Sequence, residues 1–121
     1  MSLGRVLVVD DEKSTNTLAA EYLRLAGFEV ESLFDGESAL ARLSEDPAFD
    51  AVVLDKRMPG LDGLEVCAAL KEDPRTSAIP VILLSASINP AREEPVLGAA
   101  AVMTKPFSPK DLVALLRRLL A

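Results

Sequence analysis

Five short apolar runs recur along the chain, each followed by a stretch in which apolar residues return every three or four positions. The runs Arg5–Val9, Phe28–Leu33, Ala51–Leu54, Val81–Ser85 and Ala101–Thr104 have the length and β-branched content of strands. The first, third and fourth are unbroken Val/Ile/Leu blocks, the pattern of parallel strands covered on both faces. The second alternates through Phe28 and Val30, which suits an edge. Between the runs the pattern is helical. Leu18, Tyr22 and Leu25 predict the inward face of a first helix, which Gly27 terminates in a left-handed conformation. Asp35 caps a second helix with Ala39, Leu40 and Leu43 inward. Asp62 or Gly63 opens a third, with Leu64, Cys67 and Leu70 inward and Pro74 beyond its end. The last helix begins at Ser108-Pro109-Lys110-Asp111, an N-cap serine with proline at N1 and an acid at N3. It runs to Ala121 with Leu112, Leu115, Leu116 and Leu119 facing in. Strand–helix alternation repeated five times predicts a doubly wound α/β fold, a five-stranded parallel sheet with helices on both faces. The chain is expected to form one domain over residues 1–121.

Composition narrows the function. The 121 residues are 50% hydrophobic and only 4% aromatic, so the core is aliphatic. With 13 basic against 19 acidic residues the net charge is −6, which disfavours direct nucleic-acid binding, since phosphate neutralisation needs clustered Lys and Arg. A single cysteine, Cys67, precludes an intrachain disulfide and fits a reducing cytoplasm; on the inner face of a helix it reads as a small core residue. The absence of histidine removes His-based triads, His-ligated metals and any histidine phosphorelay step within the chain. No apolar run reaches the roughly 18 residues of a membrane span, and no membrane association is expected.

In parallel sheets of this kind, functional groups gather at the carboxyl ends of the strands. Asp10 and Asp11 follow the first run in RVLVVDDE, and Asp55 follows the third in FDAVVLDKRMPG. Ser85 ends the fourth run in VILLSA, and Lys105 follows the fifth in VMTKPF. Each has an ordinary reading: Asp10-Asp11 as a helix cap, Asp55 as a loop residue, Ser85 as a small strand end, Lys105-Pro106 as a loop exit. Together they place three carboxylates, a mobile ammonium and a hydroxyl on one rim. Oxygen-only ligation favours a hard divalent cation such as Mg²⁺, and cation, lysine and hydroxyl together can clamp a phosphoryl group. With no Gly-rich nucleotide loop present, the acceptor is expected to be a protein group, and a carboxylate is the available nucleophile.

VLVVDDE, LDKRMPGLDG, LSA and TKPF, in that order and at about that spacing, resemble the receiver domains of bacterial two-component response regulators over nearly the whole chain. The resemblance implies a flavodoxin-like fold with strand order 2-1-3-4-5. It implies phosphorylation of Asp55 by a histidine kinase, a phosphotransfer protein or a small phosphodonor. It further implies Mg²⁺ held by Asp11, Asp55 and the backbone carbonyl of Arg57, with Asp10 acting through water. Lys105 would contact the phosphoryl oxygens, Ser85 would bond the phosphate and report it, and Met58-Pro59-Gly60 would form the loop beside the acceptor. One position departs from the pattern. Three residues before the strand-end lysine, receivers usually carry an aromatic ring or His that moves on activation; here it is Val102. The segment SINPAREEPVLGA, where a fourth helix belongs, holds Pro90 and Pro95, and Pro95 would delete a backbone bond inside it. A broken or shortened helix from Asn89 to Gly98 is therefore expected, with atypical output to an unidentified downstream protein and possible homodimer formation. The competing readings are an unphosphorylated receiver-like interaction module and a Mg²⁺-dependent phosphohydrolase with an aspartyl nucleophile. The hydrolase is disfavoured by Arg57 standing where a general-acid Asp belongs; a flavin carrier of the same fold is disfavoured by the lack of a Ser/Thr-rich phosphate loop and of tryptophan.

Overall fold

The computed structural model describes residues 2–86 and 98–120. Five short parallel strands form the sheet: β1 (Arg5–Val9), β2 (Glu29–Leu33), β3 (Ala51–Asp55), β4 (Val81–Ser85) and β5 (Ala101–Thr104). The described helices are α1 (Lys13–Ala26), α2 (Gly36–Glu45), α3 (Gly63–Glu72) and α4 (Pro109–Leu119). The sheet order is β2-β1-β3-β4-β5, as the family resemblance implies. The expected break over residues 89–97 lies outside the described residues, as does the expected helix end at Ala121.

Alternation along each strand splits the core in two. Leu7, Val9, Val52, Leu54, Val81 and Leu83 point to α2 and α3, whereas Val6, Val8, Val53, Ile82 and Leu84 point to α1 and α4. The central strands β3 and β4 are buried along their full length, and β1 from Val6 onward. β2 and β5 are the edges and are only half-buried, which agrees with the alternation read in β2. β2 begins at Glu29, one residue later than expected, because Phe28 still closes the helix end by bonding to Leu23 O.

The caps follow from their residue types. Gly27 takes φ +109 and its N–H bonds back to Arg24 O, a conformation that costs other residues a steric clash. Asp35 accepts from Ser38 N, and Asp62 with Glu65 forms a reciprocal capping box. Ser108 occupies the N-cap of α4, although its side chain makes no capping bond.

One expectation fails. The inward face of α1 is Asn16, Ala19, Ala20 and Leu23, not Leu18, Tyr22 and Leu25. Leu25 is 85% exposed, and Leu18 and Tyr22 lie on the surface beside it rather than in the core. Two apolar series run along this helix at similar spacing, and the one with two alanines lets α1 lie close on the sheet. Leu23→Ala should therefore destabilise the protein by about 2–5 kcal/mol in a urea titration, as large-to-small core changes do. Leu25→Ala, on the expected but wrong face, should stay within about 0.5 kcal/mol of the parent.

Candidate functional site

Strand register builds the rim. Val9 pairs with Leu54, so Asp10 and Asp55 leave adjacent central strands at the same level. Asp55 is itself the last residue of β3, opposite Leu84 on β4, and Ser85 lies one step further, opposite Thr104. Lys105 follows Thr104, its backbone N–H bonded to Ser85 O at 2.8 Å; the Lys105–Pro106 peptide is cis. Behind Asp55, α3 presses on the strand end at Gly63. A Cβ there would sit 2.3 Å from Asp55 O, so only glycine fits, and the Gly63 N–H ties the turn to Lys56 O at 2.8 Å.

Asp10, Asp11 and Asp55 offer carboxylate oxygens that all lie within 4.8 Å of one another. Asp10 is fully buried, Asp55 nearly so, and Asp11 faces solvent. The Lys105 ammonium bridges the first two, at 2.9 Å from Asp10 Oδ2 and 3.3 Å from Asp55 Oδ1. The other Asp10 oxygen, Oδ1, accepts from Glu12 N at 2.9 Å. A cleft of about 340 Å³ opens over these groups, lined by Asp11, Glu12, Asp55, Arg57, Ala86 and Lys105. Arg57 and Ala86 line the cleft, and Ser85 is buried at the end of β4. Val102 is partly buried, paired with Leu83 and packed on the core shared with α2 and α3. Cys67 is a buried core residue.

The electrostatics follow from this burial. Desolvation, with repulsion from Asp10 added, pushes the Asp55 carboxyl up to about 6, although Lys105 and a backbone hydrogen bond from Arg57 pull it back. Burial alone would lower the Lys105 ammonium, but bonds and attraction from Asp10 and Asp55 outweigh it and hold it above the usual lysine range. The donor set suits a hard cation: oxygen atoms only, anionic, clustered and open on one side. Three further contributors stand beside the predicted residues. Asn16 is buried beneath Asp10 and donates to its carbonyl. Glu12 lines the cleft and pairs with Thr15. Leu18 and Phe107, with Thr15, Lys105 and Pro106, line an apolar groove running on from the acidic cleft. The signal for Asn16 was a polar residue on the helix face that carries Ala19 and Leu23.

The geometry defines a class of protein that comparison with known families identifies. The response regulator receiver domain description fits residues 6–117, and the chain belongs to this family. It is 34% identical over 120 residues to the phosphate regulon transcriptional regulatory protein PhoB of Rhizobium meliloti, covering 98% of this chain and 52% of that one. It is 43% identical over 119 residues to the probable transcriptional regulator ycf27 of Cyanophora paradoxa, covering 96% of this chain and 48% of that one. The chain spans about half the length of these relatives. Among solved structures it resembles the chemotaxis response regulator CheY4 of Vibrio cholerae, with TM-score 0.88, 32% identity and 98% of each chain covered. The beryllofluoride-activated DrrB receiver domain superposes with TM-score 0.79 at 35% identity, covering 99% of this chain and 98% of that one.

The raised Asp55 carboxyl has a consequence for stability. Its folded-state value of about 6 exceeds the 3.8 of an unperturbed aspartate, so the folded state binds the extra proton between these values. Stability contributed by this group is then present at low pH and lost as pH rises toward and through 6. Asp55→Asn should accordingly stabilise the metal-free protein at pH 7.5 by about 1–3 kcal/mol and much less at pH 4. Millimolar Mg²⁺ should narrow the difference at pH 7.5. Paired urea titrations in EDTA and in Mg²⁺ check this; equal stabilities at pH 7.5 in EDTA would contradict it.

Proposed function

We propose that this receiver domain is the phosphoacceptor switch of a two-component relay, with Asp55 as the residue phosphorylated. The observation that carries the reading is the placement of Asp55: buried at the rim, 3.3 Å from the Lys105 ammonium and clustered with Asp10 and Asp11. An Asp55 carboxylate oxygen forms the bond to phosphorus while the donor's bond to phosphorus breaks, the electron pair leaving with the donor. Lys105 lies where charge builds on the phosphoryl oxygens, and Ser85, next along the rim, supplies a hydroxyl for the finished phosphate. Asp11, Asp55 and the Arg57 carbonyl would hold Mg²⁺, with Asp10 acting through water. When bound, the ion neutralises charge shared by the carboxylates and the incoming phosphoryl group. The domain promotes only its own phosphorylation and dephosphorylation and acts on no separate substrate.

The apolar groove beside the cleft, with Leu18 and Phe107, suits a protein donor such as a histidine kinase or phosphotransfer protein. Among the described residues no helix is long and apolar enough to cross a membrane. A cytoplasmic single domain over residues 1–121 is consistent with that and with the lone buried cysteine.

Intact mass after incubation with acetyl phosphate and Mg²⁺ tests the acceptor. One phosphoryl adduct is expected, absent in Asp55→Asn and in EDTA; an adduct persisting on Asp55→Asn would move the site elsewhere.

The output side of the proposal rests on Val102. It has no ring to swing and no polar tip, and it is packed against the core facing α2 and α3. Phosphorylation is then read out through another route than an aromatic switch, or weakly. Amide hydrogen exchange with and without beryllofluoride should slow at Asp55–Met58 and at Lys105 but change little from Ala101 to Met103. Slowing of equal size along β5 would contradict an altered readout.

A further inference from the structure

Asn16 is a fully buried polar side chain on the sheet-facing side of α1. Its amide nitrogen donates to two backbone carbonyls, Asp10 O at 3.0 Å and Leu33 O at 2.8 Å, the ends of β1 and β2. Its carbonyl oxygen Oδ1 is buried with no hydrogen-bond partner among the described residues. A helix–sheet contact gains nothing from an unpaired buried acceptor, and an apolar residue such as leucine, branched at the same carbon, would avoid that penalty. What an apolar residue cannot supply is the pair of donors.

Those donors act on the acidic turn. The carbonyl of Asp10 belongs to the peptide that joins Asp10 to Asp11, so fixing it fixes the plane from which Asp11 projects. Asp11 itself is exposed, and its carboxylate is held by no ion pair among the described residues. The same turn is secured by Asp10 N on Leu33 O at 3.2 Å, by Asn16 N on Glu12 O at 3.0 Å and by Glu12 N on Asp10 Oδ1 at 2.9 Å. Asn16 is the member of this set whose side chain reaches both strand ends.

We infer that Asn16 is a positioning residue for the acidic cluster, holding the Asp10–Asp11 peptide so that both carboxylates face a divalent cation. This rests on the reading of the cluster as a cation site. Supporting groups of this kind typically change metal affinity by about 10–100-fold when removed.

Calorimetric titration of the full chain with Mg²⁺, well below its melting temperature, separates positioning from mere stability. Asn16→Leu should bind Mg²⁺ about tenfold more weakly or worse while staying folded. Leu23→Ala, on the same helix and remote from the rim, should lose stability yet bind Mg²⁺ within about twofold of the parent. If Asn16→Leu does not fold, Asn16→Ser carries the same expectation, because its side chain is too short to bridge both carbonyls. Parent-like affinity in the folded Asn16 variant would overturn the inference and leave the cation site standing. So would equal weakening in Leu23→Ala. A parent protein that takes up no Mg²⁺ would overturn the cation site and the inference together.

Discussion

The arrangement of the carboxyl rim depends on one buried ion pair, the Lys105 ammonium at 2.9 Å from Asp10. Asp10 has no exposed surface, and an ionised carboxylate in that position is strongly disfavoured without a counter-charge. The parallel register fixes Asp10 beside Asp55, so a second carboxylate arrives whether or not the first is compensated. One ammonium then serves two acids, and Asp55 is the group left short: its carboxyl rises to about 6. The site is under-neutralised by construction of the sheet, not by an accident of side-chain placement. Such a cluster favours uptake of protons or of a cation.

The same shortage bears on the proposed function. A carboxylate nucleophile is most useful when it is ionised but poorly compensated, since complete pairing would quench it. Burial and Asp10 keep Asp55 basic, while Lys105 stands within 3.3 Å to receive charge transferred to it. In the proposed role, adding a phosphoryl group raises the negative charge at Asp55, and the lysine already in contact is the first group to respond. Gly63 gives this acceptor a firm base, because α3 meets the Asp55 backbone with no Cβ between them.

Much of this was legible in the sequence, for physical reasons that differ by element. β3 and β4 were readable because strands buried on both faces must be apolar throughout. Gly27, Asp35 and Asp62 marked helix ends because each does something few residue types can do there. The rim residues were readable because parallel topology brings every strand end to one side, so order along the chain translated into proximity. The face of α1 was not readable. Leu18, Tyr22 and Leu25 compete with Ala19, Ala20 and Leu23 at nearly the same period, and hydrophobicity alone selects the larger set. Close approach of helix to sheet selects the smaller one. Asn16 was hidden for the same reason, since its value lies in two backbone carbonyls that only tertiary structure brings to it. Ser85 was placed on the correct strand end, but whether it or Ala86 lines the cleft depends on which way one residue points.

The two kinds of charge at the rim stand on unequal foundations. Asp10 and Asp55 leave β1 and β3, interior strands whose residues at this end are fully buried. Lys105 leaves β5, an edge strand of four residues, none of them fully buried. Local stability follows burial, so the acids sit on the firm part of the sheet and the ammonium on its softer edge. A change of charge at Asp55 therefore has little freedom to move the acids and more freedom to move the Lys105 side chain, which lines the cleft from that edge. Val102 packs on one core while its neighbours Ala101 and Met103 pack on the opposite one, so β5 itself is held from both layers. In the proposed role, the response to a phosphoryl group on Asp55 then begins with the Lys105 side chain and needs no aromatic ring on β5 to carry it.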